Sequence, residues 1–149
     1  MMKWLKDNVA KARATLTAEV SKFKNRAFME AVVNGCAVVA AADGTISSEE
    51  KQKMIGFIQR ADELKHFEMR DVIDVFKKAT DDFDFDKELG RAAAMQKIGK
   101  VKSSDEQARL LVRVVCAIAN ADGAFDENER QAVREICAEL GLNPADFDL

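Results

Sequence analysis

Four carboxylates recur at one spacing in two parts of the chain, and their chemistry is that of a divalent-cation site. Asp43 with Glu50 and Asp122 with Glu129 lie in two segments that align without a gap at a constant offset of 79 residues. Each segment reads Asp-Gly-x-apolar-x-x-x-Glu, which reproduces the second half of an EF-hand calcium loop but not its first half. Because Ca²⁺ takes roughly six to eight oxygen ligands, neither segment can hold the ion well alone. The repeat therefore predicts two half-sites that share one ion.

Further oxygens beside the four carboxylates could complete this shared site. Ser47 and Asp126 stand at the same place in the two segments, and the backbone carbonyls of residues 45 and 124 are close in sequence. An all-oxygen shell without His or Cys favours Ca²⁺, with Mg²⁺ or Mn²⁺ as alternatives, over Zn²⁺ or Cu²⁺. The predicted metal ligands are Asp43, Glu50, Asp122, Glu129, Ser47 and Asp126.

The same residues also fit a purely structural role, and this alternative stays open. Ser47 with Glu50, like the counterpart pair 79 residues later, has the spacing of a capping box that starts a helix. The glycine before each box suits the left-handed position that ends the preceding helix. A helical scaffold without metal would need only these caps. Capping leaves Asp43 and Asp122 unexplained, since a carboxylate at the C-terminal end of a helix meets the negative pole of its dipole.

The elements that position the repeated turns are helices. Each turn follows a run of small apolar residues, 35–42 or 114–121, and precedes a segment with helical spacing of apolar residues. The chain has 149 residues with only one Pro and seven Gly, which is ordinary for one soluble domain. A repeat seen twice indicates two related halves and not a solenoid. We therefore predict an all-α single domain of about seven helices in two pseudo-symmetric helix-turn-helix halves.

The N-terminal end is basic, whereas the rest of the chain is acidic. Residues 1–26 carry a net charge of +5 within a total of −3, and apolar residues recur at helical spacing along residues 1–24. This segment is predicted to form one amphipathic helix, or two with a break near Thr15–Thr17, ahead of a helical domain at 25–149. It either packs on the core with a solvated lysine face or, with Trp4 at its tip, lies on an anionic membrane. The acidic remainder disfavours nucleic acid as a partner.

No membrane span or secretory signal is recognisable, which predicts that the protein stays in the cytoplasm. The three cysteines, Cys36, Cys116 and Cys137, lie in apolar helical stretches and are expected to be buried reduced thiols. The single histidine, His66, is expected in an exposed connector without a partner for catalysis. The sequence therefore does not predict an enzyme.

A third acidic stretch, residues 81–88, holds five acids in eight residues together with Phe83 and Phe85. The two phenylalanines are expected to enter the core while the acids remain in water. The acids then lie at the N-terminus of the following helix, where they are favourable.

Several of these segments together resemble the TerB family of bacterial tellurite resistance proteins. The resemblance is carried by residues 23–29, by Asp43-Gly44 continuing into the string Ser-Ser-Glu-Glu-Lys-Gln-Lys-Met-Ile-Gly-Phe of residues 47–57, by residues 83–86, by Asp122-Gly123 with Phe125-Asp126, and by residues 132–136. It implies an all-α fold of two pseudo-symmetric halves, a divalent-metal site made by the acids of the paired turns, and no established enzymatic activity.

The resemblance also implies a cellular setting. TerB-like proteins are linked to resistance to tellurite, phage and colicins, at the cytoplasmic face of the inner membrane. Expected partners are the membrane surface, a TerC-like integral-membrane protein and Ca²⁺-binding TerD-type proteins. Here the second turn has Asp126-Glu127 where the first has Ser47-Ser48, so a shared site would be asymmetric in charge.

Overall fold

The computed structural model describes residues 9–121, 123 and 125–149, and the chain is all-α within these ranges. Seven α-helices and two short 3-10 helices form there, and no strand does. The α-helices are α1 (Val9–Val20), α2 (Arg26–Ala40), α3 (Ser48–Arg60), α4 (Met69–Phe85), α5 (Lys87–Gly99), α6 (Asp105–Ala119) and α7 (Glu127–Leu140). The 3-10 helices are Asp62–Leu64 and Pro144–Phe147. The predicted all-α single domain is confirmed.

Helices α2 and α6 form the buried centre of the molecule. Both are apolar on nearly all sides along their second halves, which is typical of helices that lie inside a core. Gly35 on α2 allows a close approach, because a Cβ atom at this position would lie 2.7 Å from the Cγ2 atom of Val115 on α6. The two helices that lead into the acidic turns are therefore packed against each other.

Both central helices start at a side-chain cap. The Asn25 carboxamide accepts a hydrogen bond from the N–H of Phe28 (2.8 Å), and the Ser104 hydroxyl accepts one from the N–H of Gln107 (3.3 Å). These bonds satisfy helix N–H groups that have no partner within the helix.

Helix α1 is continuous and packs on the core. The predicted break near Thr15 is wrong: the hydroxyls of Thr15 and Thr17 donate to carbonyls four residues earlier, at 3.0 and 2.9 Å, and leave the helix intact. Leu16 and Val20 are buried. The basic and aromatic residues of positions 1–8, Trp4 among them, lie outside the described residues.

Helices α4 and α5 form a tight hairpin joined at Asp86. A Cβ atom at Gly90 would lie 2.5 Å from the backbone of Phe83, so the two helices touch at this point. Phe83 packs against the core, but Phe85 is 83% exposed, and its predicted burial is wrong. Two residues along a helix correspond to about 200° of rotation, so both side chains cannot face the core.

No helix in the described ranges is long and apolar enough to cross a membrane.

Candidate functional site

The first acidic turn joins α2 to α3 and is held by local hydrogen bonds. Gly44 has φ +105°, and its N–H donates to the carbonyl of Ala41 (2.9 Å). The Ser47 hydroxyl accepts from the N–H of Glu50 (3.1 Å), and the Glu50 carboxylate accepts from the N–H of Ser47 (3.3 Å). The predicted capping box and left-handed glycine are confirmed. Asp43 contributes to neither of them.

The second acidic turn repeats this arrangement between α6 and α7. Gly123 has φ +76°, again a left-handed position. The Asp126 carboxylate accepts from the N–H of Glu129 (2.8 Å), and the Glu129 carboxylate accepts from the N–H of Asp126 (3.1 Å). Asp122 and the predicted carbonyl of residue 124 lie outside the described residues. Among the described residues, the two turns therefore share the capping box and the left-handed glycine, as the repeat predicted.

A cleft of about 200 Å³ lies between the two turns and receives acids from both. Four of the six predicted metal ligands line it, namely Asp43, Glu50, Asp126 and Glu129. The other lining residues are Val39, Ala40, Ala42, Lys53, Met54, Phe57, Ala119 and Asn128. Ser47 does not line the cleft, and its hydroxyl serves the helix cap. The packing of α2 against α6 thus brings the two half-sites to one place.

The lining carboxylates differ in how far they are already engaged. Glu50 and Glu129 each place one oxygen on a backbone N–H of their own capping box, and a carboxylate has further acceptor positions to offer. Asp43 is exposed and forms no hydrogen bond or ion pair with any other residue in the part of the chain that the structure describes. Lys53 contributes a positive charge to the same cleft. Asp43 is thus the acid whose place in the turn has no structural explanation.

The cleft offers oxygen ligands, the type that a hard divalent cation prefers. They are not arranged as a complete coordination sphere. Within residues 9–121, 123 and 125–149, no group of three or more His, Cys, Asp or Glu side chains is positioned to hold a metal ion. The capping bonds explain this for Glu50 and Glu129, because they direct these carboxylates towards the helix starts. A cation in the cleft would therefore need Asp122 or a rotation of the capping carboxylates.

Asn120, at the entrance to the second turn, has hydrogen bonds on its backbone but none on its side-chain amide among the described residues. It is buried, and neither its Nδ2 nor its Oδ1 atom has a hydrogen-bond partner within residues 9–121, 123 and 125–149. It follows directly on Ala119, which lines the cleft, and it precedes Asp122 by two residues. Asn120 itself does not line the cleft. An unsatisfied buried amide costs about 1–3 kcal/mol.

A second hollow, of about 550 Å³, lies beside the cleft and carries cationic groups that sequence reasoning missed. The Nζ atom of Lys87 approaches the first turn so closely that a Cβ atom at Gly44 would lie 2.9 Å from it. Arg91 donates to Glu135 at 2.8 Å across the same hollow. These residues come from α5, whose position against the turns depends on long-range packing. No local signal in the sequence could have placed them.

The remaining candidate residues lie where they were expected. Cys36, Cys116 and Cys137 are buried free thiols, as predicted. Burial raises the pKa of Cys36, with a smaller contribution from the charge of Glu63, to about 12. His66 is exposed in the turn between the first 3-10 helix and α4.

Comparisons with known proteins agree on one family. Residues 29–149 match the family model described as Tellurite resistance protein TerB. The chain is also 43% identical over 110 residues to Tellurium resistance protein TerB from Alcaligenes sp, an alignment that covers 74% of this chain and 90% of the relative. No solved structure matches.

Proposed function

Because the chain belongs to the TerB family of tellurite resistance proteins, we propose that it serves in tellurite resistance as a metal-responsive interaction module. The cation, most readily Ca²⁺ and alternatively Mg²⁺ or Mn²⁺, binds in the cleft between the paired turns. The proposal assigns no catalytic step to the protein.

The observation that carries the metal proposal is the convergence of both half-sites on one cleft. Asp43 and Glu50 arrive from the first turn, and Asp126 and Glu129 arrive from the second. Asp43 gains nothing from capping, and it lies where the preceding helix presents its negative end. A divalent ion would offset this repulsion and would draw the two halves of the domain together.

A scaffold without metal is the second candidate, and the intact capping boxes favour it. Both Ser47–Glu50 and Asp126–Glu129 already satisfy the helix starts without an ion. On this account the acids of the turns stabilise α3 and α7 and nothing else. The two candidates differ in what they require of Asp43.

Two substitutions in the first turn separate metal binding from capping. Asp43→Asn removes a charge from the cleft but no cap, so it should slightly raise the metal-free melting temperature, because it relieves the repulsion with the negative end of α2, and it should abolish the rise with Ca²⁺. Ser47→Ala removes a cap but no cleft residue, so it should lower the free energy of unfolding by about 1 kcal/mol and keep the Ca²⁺-dependent rise. Calorimetric titration with Ca²⁺ and Mg²⁺ would measure binding directly. The absence of any rise with Ca²⁺ in wild type would favour the scaffold, and an equal rise in wild type and Asp43→Asn would remove Asp43 from the metal site.

We further propose that the protein works at the cytoplasmic face of the inner membrane, with a TerC-like integral-membrane protein and TerD-type proteins as partners. Lys22 and Lys24 are exposed just beyond α1, whereas Leu16 and Val20 are buried in the core. Docking by this region would therefore be electrostatic, at about 1 kcal/mol per lysine near an anionic leaflet. The described part of α1 has no apolar stripe left for insertion.

Charge reversal tests the membrane proposal better than truncation, since removing α1 would uncover the core. Lys22→Glu with Lys24→Glu should reduce sedimentation with anionic vesicles, and binding should weaken with salt. Lys65→Glu with Lys77→Glu changes two other exposed lysines by the same amount and serves as the control. Vesicles carrying a TerC-like protein would show whether that partner adds affinity. If vesicle binding changed neither with salt nor in the Lys22→Glu, Lys24→Glu variant, the electrostatic proposal would be refuted.

A further inference from the structure

The junction of α4 and α5 exposes two large apolar side chains among carboxylates. Phe85 is 83% exposed and Leu89 is 51% exposed. Five acids stand around them in the sequence, and with Lys87 they give residues 81–88 a net charge of −4: Asp81, Asp82, Asp84, Asp86 and Glu88. We call residues 81–89 the α4–α5 corner. Exposed aromatic side chains are enriched at protein interfaces, where they act as anchors.

The exposure of this corner follows from the hairpin itself. Because Gly90 packs on the backbone of Phe83, the contact between α4 and α5 uses the face that carries these two residues. Phe85 lies about 200° further around α4, and Leu89 lies about 100° from Gly90 on α5. Neither can turn inwards without separating the helices. The two apolar side chains are thus presented to solvent by the packing that forms the hairpin.

The backbone of the corner is fixed before any partner arrives. The Asp86 carboxylate accepts a hydrogen bond from the N–H of Leu89 (3.0 Å) and caps α5. Asp84 pairs with Lys51 on the first turn of α3, and Lys78 pairs with Asp82 at 3.0 Å. A preformed surface loses little conformational entropy on binding.

We propose that the α4–α5 corner is a docking surface for a basic amphipathic segment of another protein. The apolar groups of that segment would cover Phe85 and Leu89, and its Lys or Arg side chains would face the surrounding carboxylates. Charge complementarity sets this choice, because five of the nine residues of the corner are acidic and only Lys87 is basic. The docking surface does not depend on a cation in the cleft.

Other occupants meet a net repulsion here. An anionic membrane and a nucleic acid both carry the same sign of charge as the corner. A second copy of the chain that used the same surface would place one acidic surface against another. The basic helix α1 is not a free occupant, since its apolar residues Leu16 and Val20 are buried in the core.

A defined peptide tests the docking surface. The probe is a fluorescently labelled synthetic amphipathic helix of Leu and Lys with one Trp. The control peptide is a scrambled isomer of the same composition. Phe85→Ser with Leu89→Ser keeps every charge and should weaken binding of the amphipathic probe at least about tenfold. Val9→Ser changes the remaining large exposed hydrophobic residue of the described chain, 38% exposed, and should leave binding unchanged. Binding of the amphipathic probe should weaken as salt is added.

Each of the other results would overturn the proposal. Failure of wild type to bind the amphipathic probe, or equal binding of the scrambled isomer, would mean that no docking surface of this kind exists. An unchanged affinity of the Phe85→Ser, Leu89→Ser variant would remove the corner from the interaction. If this variant instead lost binding to anionic vesicles or lost self-association, the surface would belong to a membrane or to a second copy. Circular dichroism and melting of each variant would establish that it folds.

Discussion

The guanidinium of Arg13 on α1 holds the fully buried carboxylate of Glu63 in a two-pronged ion pair. The Nε atom of Arg13 donates to Oε2 of Glu63 at 2.8 Å, and the Nη2 atom donates to Oε1 at 2.9 Å. Glu63 belongs to the short 3-10 helix after α3 and is 0% exposed. The pair fastens α1 to the body of the domain. A basic residue of the N-terminal segment, itself 27% exposed, therefore neutralises a buried carboxylate of the domain.

Removing Arg13 alone should be strongly destabilising. Arg13→Met leaves the Glu63 carboxylate buried without a partner, which we expect to lower the free energy of unfolding by about 3–5 kcal/mol. Urea unfolding would measure the loss. The double variant Arg13→Met, Glu63→Met replaces both charges by apolar groups and should recover most of the stability. If the double variant were as unstable as Arg13→Met, the loss of stability would come from lost contacts of the Arg13 side chain and not from the unpaired charge of Glu63.

Because Gly35 lies so close to Val115, adding a methyl group at position 35 should lower the free energy of unfolding. A Cβ atom at position 35 would lie 2.7 Å from a branched side chain in a packed core, so Gly35→Ala should cost about 1–3 kcal/mol despite the better helix propensity of Ala. Adding Val115→Ala should restore part of the loss, and thermal melts of the four proteins would give the coupling energy.

Gly56 on α3 provides a matched control for Gly35. A Cβ atom there would meet only the flexible end of the Arg60 side chain, at 3.2 Å. Gly56→Ala should therefore raise the stability by about 1 kcal/mol. If both glycines responded alike, helix propensity and not close packing would govern position 35.

The sequence predicted what local chemistry determines and missed what distant segments create. The caps at Asn25, Ser47, Ser104 and Asp126 were predictable, because each joins a side chain to a backbone group three residues away. The ion pair of Arg13 with Glu63 spans 50 residues and leaves no periodic signal. The exposure of Phe85 was missed because helical spacing alone cannot say which of two nearby aromatic residues faces the core.

The cleft was predictable in part because the repeat implied symmetry. Two copies of one turn suggested that their acids meet, and Asp43 and Glu129 do line one cleft. The cations beside them, Lys53 and Lys87, come from helix faces whose placement depends on tertiary packing. The repeat alone therefore could not predict the positive charges that lie beside the acids of the cleft.

Replacement of Asn120 by Ala should stabilise the metal-free protein. The buried Asn120 amide has no hydrogen-bond partner in the part of the chain that the structure describes. Ala41 holds the equivalent position at the end of α2 with nearly the same backbone angles, φ −90° and ψ 11° against φ −94° and ψ 18°. Asn120→Ala should therefore raise the free energy of unfolding by about 1 kcal/mol in the presence of a chelator. A clear loss of stability in urea unfolding would mean that the native protein does satisfy this amide.

The buried thiols should make the protein lose stability in alkali. Burial raises the pKa of Cys36 to about 12, that of Cys137 to about 11 and that of Cys116 still further, whereas an unfolded thiol ionises near 9.0. Above that pH the unfolded chain releases protons that the native protein retains, so each thiol should lower the free energy of unfolding by about 1.4 kcal/mol per pH unit until its native pKa is reached. The stabilisation is present in full at neutral pH. Urea unfolding at several pH values between about 8 and 11 would give the slope, and Cys137→Ala should reduce it by one thiol's share. An equal slope in wild type and variant would show that Cys137 ionises alike in both states.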